Sequence, residues 1–224
     1  GTGERPYREA DPTNPLSVYG ATKLAGERAV AEAAPDHAVL RTSWVYGPSG
    51  KNFVRTMLAL ARQRDEVRVV CDQVGAPTSA LDIADGVLGV VRNLLAEPAR
   101  PDLRGIFHMT ADGTTTWAAF AEAIFAASRA AGGPSANVIP IPTAEYPTPA
   151  RRPANSRLDS SALAAAHGIR LPPWRQSLQP CIERLRAQDA NLHDHQRYHS
   201  GRWQRNKAAS DDGRGVEAID ADLR

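Results

Sequence analysis

The sequence predicts an α/β fold in which short buried strands alternate with amphipathic helices. Runs of helix-forming residues at 18–34, 52–64, 79–96 and 117–131 carry one pattern. The other comes from short apolar, β-branched segments at 39–45, 67–71 and 106–109. A hydrophobic content of 42% in 224 residues supports a sizeable core, and a formal net charge of +2 gives no case for nucleic acid or a membrane surface. No apolar run approaches the length of a membrane-spanning helix, and Cys71 and Cys181 make no disulfide framework. A cytoplasmic location is the expectation.

Residues 2–17 are rich in proline and charge and read as a surface loop. The helix that follows is stopped by Pro35 and begins with Tyr19 and Lys23, one turn apart on one face, about 6 Å along the axis. A phenol and an ammonium so placed suit proton delivery to an oxygen, because a nearby positive charge favours the phenolate. Spacing alone also fits an ordinary helix. The strand at 39–45 carries Thr42, Ser43 and Trp44 at its end, where chemistry gathers in such folds. Asn52 opens the next helix, either as an N-cap or as an anion contact beside free backbone N–H groups.

After the strand at 67–71, Gly75-Ala76-Pro77-Thr78 reads as a turn. In the helix over 79–96, capped by Ser79 or Thr78, the stripe Ile83, Val87, Leu88, Val91, Leu94 and Leu95 reads as core. His108 lies in a short strand and reads as a satisfied core histidine. Gly132-Gly133-Pro134 closes the helix over 117–131. A proline-rich stretch over 132–157 offers one strand at 138–141 and ends near Arg151 and Arg152, a pair suited to a diphosphate or to solvent. Helices at 160–166 and 174–186 follow, with Trp174 in the core. Residues 188–224 are dense in charge and poor in large apolar residues, which predicts a disordered tail. Its His193, Asp194, His195 and His199 have metal-ligand chemistry, but a polar tail gathers histidines easily, so no metal site is assigned.

Several segments, in order, carry a resemblance: Asn14-Pro15-Leu16-Ser17-Val18-Tyr19-Gly20-Ala21-Thr22-Lys23-Leu24-Ala25-Gly26-Glu27, Leu40-Arg41-Thr42-Ser43-Trp44-Val45-Tyr46-Gly47, Asp72-Gln73-Val74-Gly75-Ala76-Pro77-Thr78, Gly105-Ile106-Phe107-His108, Thr116-Trp117 and Arg152-Pro153. Over residues 1–187 the chain resembles the extended short-chain dehydrogenase/reductase family. The resemblance implies a partial Rossmann-like parallel sheet with a smaller C-terminal substrate-binding region. It also implies what to look for and does not find: the glycine-rich G-x-x-G-x-x-G turn that holds a cofactor pyrophosphate.

The implied activity is NADPH- or NADH-dependent reduction of the C4 ketone of a dTDP-linked 4-keto-6-deoxysugar. Tyr19 is then the proton donor and Lys23 its partner, both also touching cofactor together with Thr42 and Ser43. Trp44, Asn52 and Arg152 are the implied substrate contacts. Some relatives form metal-linked dimers, so a homodimer is compatible, whereas nothing in the sequence supports Mg²⁺. With half the cofactor site absent, the 224-residue chain by itself is expected to turn over little or not at all. A nucleotide-sugar epimerase or dehydratase, and a non-catalytic regulatory homologue, are the alternative readings.

Overall fold

A computed structural model describes residues 3–15, 17–146 and 152–188. The expected tail and Arg151 therefore lie outside the described residues, Gln188 apart. Gly1–Arg184 form one compact unit; of the second, Leu185–Arg224, only 185–188 are described. The helices are α1 (Val18–Ala33), α2 (Phe53–Ala61), α3 (Ala80–Ala96), α4 (Trp117–Ala130), α5 (Ser161–His167) and α6 over 174–188. Polar side chains start the first four: Ser17, Asn52, Ser79 and Thr116 each accept a hydrogen bond from a backbone N–H of the first turn.

The strands are β1 (Ala38–Arg41), β2 (Val45–Tyr46), β3 (Glu66–Val70), β4 (Val74–Gly75), β5 (Thr78–Ser79), β6 (Gly105–His108), β7 (Thr115–Thr116) and β8 (Asn137–Ile141). β1 pairs parallel with β6, from Ala38↔Gly105 to Arg41↔His108, and β3 pairs parallel with β8. β2 and β5 form a short parallel pair, and β4 and β7 an antiparallel one. Parallel neighbours far apart in sequence require helical crossovers, which α2, α3 and α4 supply. The α/β class with parallel pairing is thus as the sequence predicts.

Two expectations are corrected. The single strand over 39–45 breaks after Arg41, because Trp44 takes a left-handed backbone (φ 50) that no ladder accommodates. The chain re-enters pairing at β2 with a different neighbour. The core stripe of α3 is corrected in part: Val87, Leu88, Val91 and Leu95 are exposed, Leu95 at 77%. Ile83 and Leu94 do pack against the core, and between them the packed side uses Gly86 and Val90. There Gly86 brings the helix backbone against Met109 and Leu171, a face that hydrophobicity cannot mark because its central residue has no side chain.

Val90, Phe107, Met109, Leu163 and Leu171 form one core cluster. A second is aromatic: Phe120, fully buried, has the rings of Tyr46, Phe53 and Trp174 at 5.5, 5.6 and 5.5 Å. Trp174 is buried, as expected. Cys181 is buried and free, its thiol pushed up to about 11 by that burial, which leaves it an inert core residue.

His108 is 2% exposed, with Nδ1 3.1 Å from the Tyr7 carbonyl and its backbone N–H donating to Glu9 at 2.7 Å, so it is a satisfied core histidine. Burial pushes its pKa down; the Glu9 carboxylate pulls upward and Arg41 adds to the fall. Burial lowers His167 likewise. An unfolded imidazole titrates near ~6.5, so below that pH the unfolded chain takes up protons that the folded one refuses, and stability falls. The melting temperature should drop from about pH 7.5 to about pH 5.5, and His108→Gln should flatten that drop. An equally steep drop in the variant would show that His108 does not contribute.

Candidate active site

The Ser17 hydroxyl accepts from the Gly20 N–H at 3.1 Å and fixes where α1 begins, which puts Tyr19 in the first turn and Lys23 one turn on. Both are exposed, Tyr19 at 71%, and the Lys23 ammonium lies 5.4 Å from the Tyr19 ring centroid. The pair is therefore assembled as the spacing predicts, open to whatever lies above it.

The loop before α1 is built by polar contacts. Asp11 accepts two bonds from Arg5 (3.0 and 2.7 Å) and one from the Arg8 N–H (2.8 Å). Those bonds, Arg5's first, hold the Asp11 carboxyl below the usual range. Asn155, buried, donates to the Gly3 and Arg5 carbonyls, and the Tyr7 backbone exchanges bonds with Arg157 and Asp159. A cleft of ≈ 400 Å³ lies under this loop, with Asp11, Lys23, Glu27, Arg41 and His108 on its walls but neither Tyr19 nor Trp44.

The bend after β1 holds the other candidates. Thr42 is exposed, while the Ser43 Oγ is buried and has no hydrogen-bond partner among the described residues. A buried hydroxyl without a partner costs about 1–3 kcal/mol, which marks Ser43 as a group awaiting one. Trp44, half-buried, stacks on Trp117 with centroids 3.5 Å apart and planes 9° from parallel. Phe53 flanks Trp117 at 4.6 Å. The sequence does not mark Trp117 and Phe53 as neighbours of Trp44; Trp117 stands at the first position of α4, a placement that the Thr116 cap signals.

Asn52 takes the N-cap role. Its amide accepts from the Arg55 N–H (3.2 Å) and donates to the Gly47 carbonyl (2.9 Å), so the side chain is used in closing the loop before α2. Arg152 is exposed. No group of acidic, histidine or cysteine side chains among the described residues could hold a metal, and no described helix is long and apolar enough to cross a membrane.

Residues 1–187 match the RmlD substrate binding domain. The chain belongs to that family. The dTDP-4-dehydrorhamnose reductase of Burkholderia thailandensis is 48% identical over 193 residues, which cover 84% of this chain and 65% of that protein. Among solved structures, a dTDP-4-dehydrorhamnose reductase from Clostridium acetobutylicum aligns with a TM-score of 0.75 at 39% identity, over 83% of this chain and 62% of that one. The Bacillus anthracis enzyme of the same name, solved with NADP, gives 0.71 at 33% identity, over 81% and 60%. The chain thus spans less than two thirds of the length of these RmlD-type relatives. The likeness takes in every expected site residue, all of which fall within the matched region.

Proposed function

We propose that this chain forms the proton-delivering and sugar-binding part of an NADPH-dependent reductase that converts the C4 ketone of dTDP-4-dehydro-6-deoxy-L-mannose to the alcohol of dTDP-L-rhamnose. The observation that carries this is the Tyr19–Lys23 pair, one turn apart and open on α1. Family membership and the relatives' reductase names support it.

The residues present fit the nicotinamide end of a dinucleotide: an exposed lysine to bond a ribose hydroxyl, and a buried Ser43 hydroxyl in want of a partner. A bound nicotinamide supplies the hydride. As negative charge grows on the substrate oxygen, the Tyr19 hydroxyl donates its proton there, and the Lys23 ammonium stabilises the phenolate left behind. The Trp44 indole, backed by Trp117, offers a flat face to the C–H side of the sugar. Arg152 is assigned to the diphosphate by its paired donors. Asn52, its amide already used, is assigned to shaping the α2 N-terminus. NADPH is chosen over NADH because a relative was solved with NADP.

The test is NADPH oxidation with the 4-keto sugar nucleotide, using the 224-residue chain alone and joined behind the N-terminal third of the Burkholderia relative. Turnover by the joined form, with dTDP-L-rhamnose as product, is the expected result. Binding of the sugar nucleotide without turnover would overturn the reading and favour a non-catalytic role.

A further inference from the structure

Tyr19, Lys23 and Glu27 recur every four residues and share one face of α1. Glu27 Oε1 accepts from Arg41 Nε at 2.9 Å and Oε2 from Arg41 Nη2 at 2.6 Å, a two-bond fork between helix and strand. The two side chains are only 18% and 20% exposed, so water screens the pair less than it would at an open surface. The Glu27 hydrogen bonds raise the Arg41 pKa against the cost of burial.

The setting gives this pair more than an ordinary share of the helix's placement. α1 buries none of its residues, so apolar packing on the described residues does little to fix it along its axis or about it. Arg41, by contrast, is fixed: it ends β1, in register with the buried His108 of β6. Thr42, Ser43 and Trp44 follow it directly. Lys23, Glu27, Arg41 and His108 also line one cleft.

We propose that Glu27 and Arg41 are positioning residues: their fork holds the Tyr19–Lys23 face of α1 in register with the bend at Thr42–Trp44, so that its loss lowers turnover more than it lowers binding or stability. This rests on the reductase reading above. Without Glu27, α1 loses its polar anchor to β1.

The test has two readouts. In the form that turns over, Glu27→Gln should lower kcat about 10- to 100-fold with KM for the sugar nucleotide within about threefold. Arg41→Lys should lose nearly as much, because one ammonium cannot hold both carboxylate oxygens. The exchanged pair, Glu27→Arg with Arg41→Glu, should recover a large part of kcat. In the 224-residue chain, Glu27→Gln should speed amide hydrogen exchange at residues 21–26 about tenfold and leave β3 unchanged. Unchanged kcat, or exchange rising equally in α1 and β3, would overturn the proposal. Should no form turn over, the reductase reading fails, and the exchange result still decides for or against the fork.

Discussion

Replacing Tyr19 by Phe is expected to lower kcat about 100- to 10,000-fold, with little change in KM or in folding. The ring stays, and with it the approach of the Lys23 ammonium at 5.4 Å; only the hydroxyl is lost. Because Tyr19 is 71% exposed, that hydroxyl contributes nothing to a core, and the melting temperature should hold within about a degree. Loss of kcat alone is the signature of a group whose interaction is made in the transition state and not in the bound substrate. Steady-state kinetics of the joined form, beside thermal unfolding of the same preparations, checks both halves. A kcat within threefold of the parent would remove Tyr19 as the proton donor, whatever the protein then binds.

How far the sequence disclosed this site depended on whether a feature was local. The Tyr19–Lys23 face follows from helical spacing and from Ser17 as cap, both contained in seven residues. Asn52 as cap, one of its two open readings, and Trp174 as core were legible for the same kind of reason. The left-handed backbone at Trp44 was not, since a bulky residue disfavours that conformation and nothing nearby announces it. The α3 face is legible only at Ile83 and Leu94, because Gly86, silent on any hydrophobicity scale, is where the helix backbone meets Met109 and Leu171. Asn155 holding the Gly3 and Arg5 carbonyls spans about 150 residues, and no periodicity reports such a pairing. The Glu27–Arg41 fork lies between, since its residues fall in two matching motifs but only the fold shows that they meet.

Gly75→Ala is expected to displace the Trp44 indole, and with it the face proposed to carry the sugar. A Cβ at Gly75 would stand 2.6 Å from Trp44 Nε1 and closer still to Cε2, well inside any permitted contact. The ring cannot simply retreat, because Trp117 stacks on it at 3.5 Å, and the Gly75 backbone is held by its pairing with Thr115. Nor can the Trp44 backbone yield at no cost: it already sits at φ 50, a conformation worth about 1–3 kcal/mol of strain in a residue of this bulk. The least costly response is for the half-buried indole to swing outward, giving up the stack with Trp117, worth about 0.5–1.5 kcal/mol. Stability should fall by about 1–3 kcal/mol in chemical unfolding, with a change in tryptophan emission. Binding separates this from general damage. In calorimetry, affinity for dTDP-L-rhamnose should fall about tenfold while affinity for dTDP alone stays within about twofold, because in the proposed function only the sugar meets the indole face. Equal losses for both ligands would mean that Trp44 supports the fold and not the sugar.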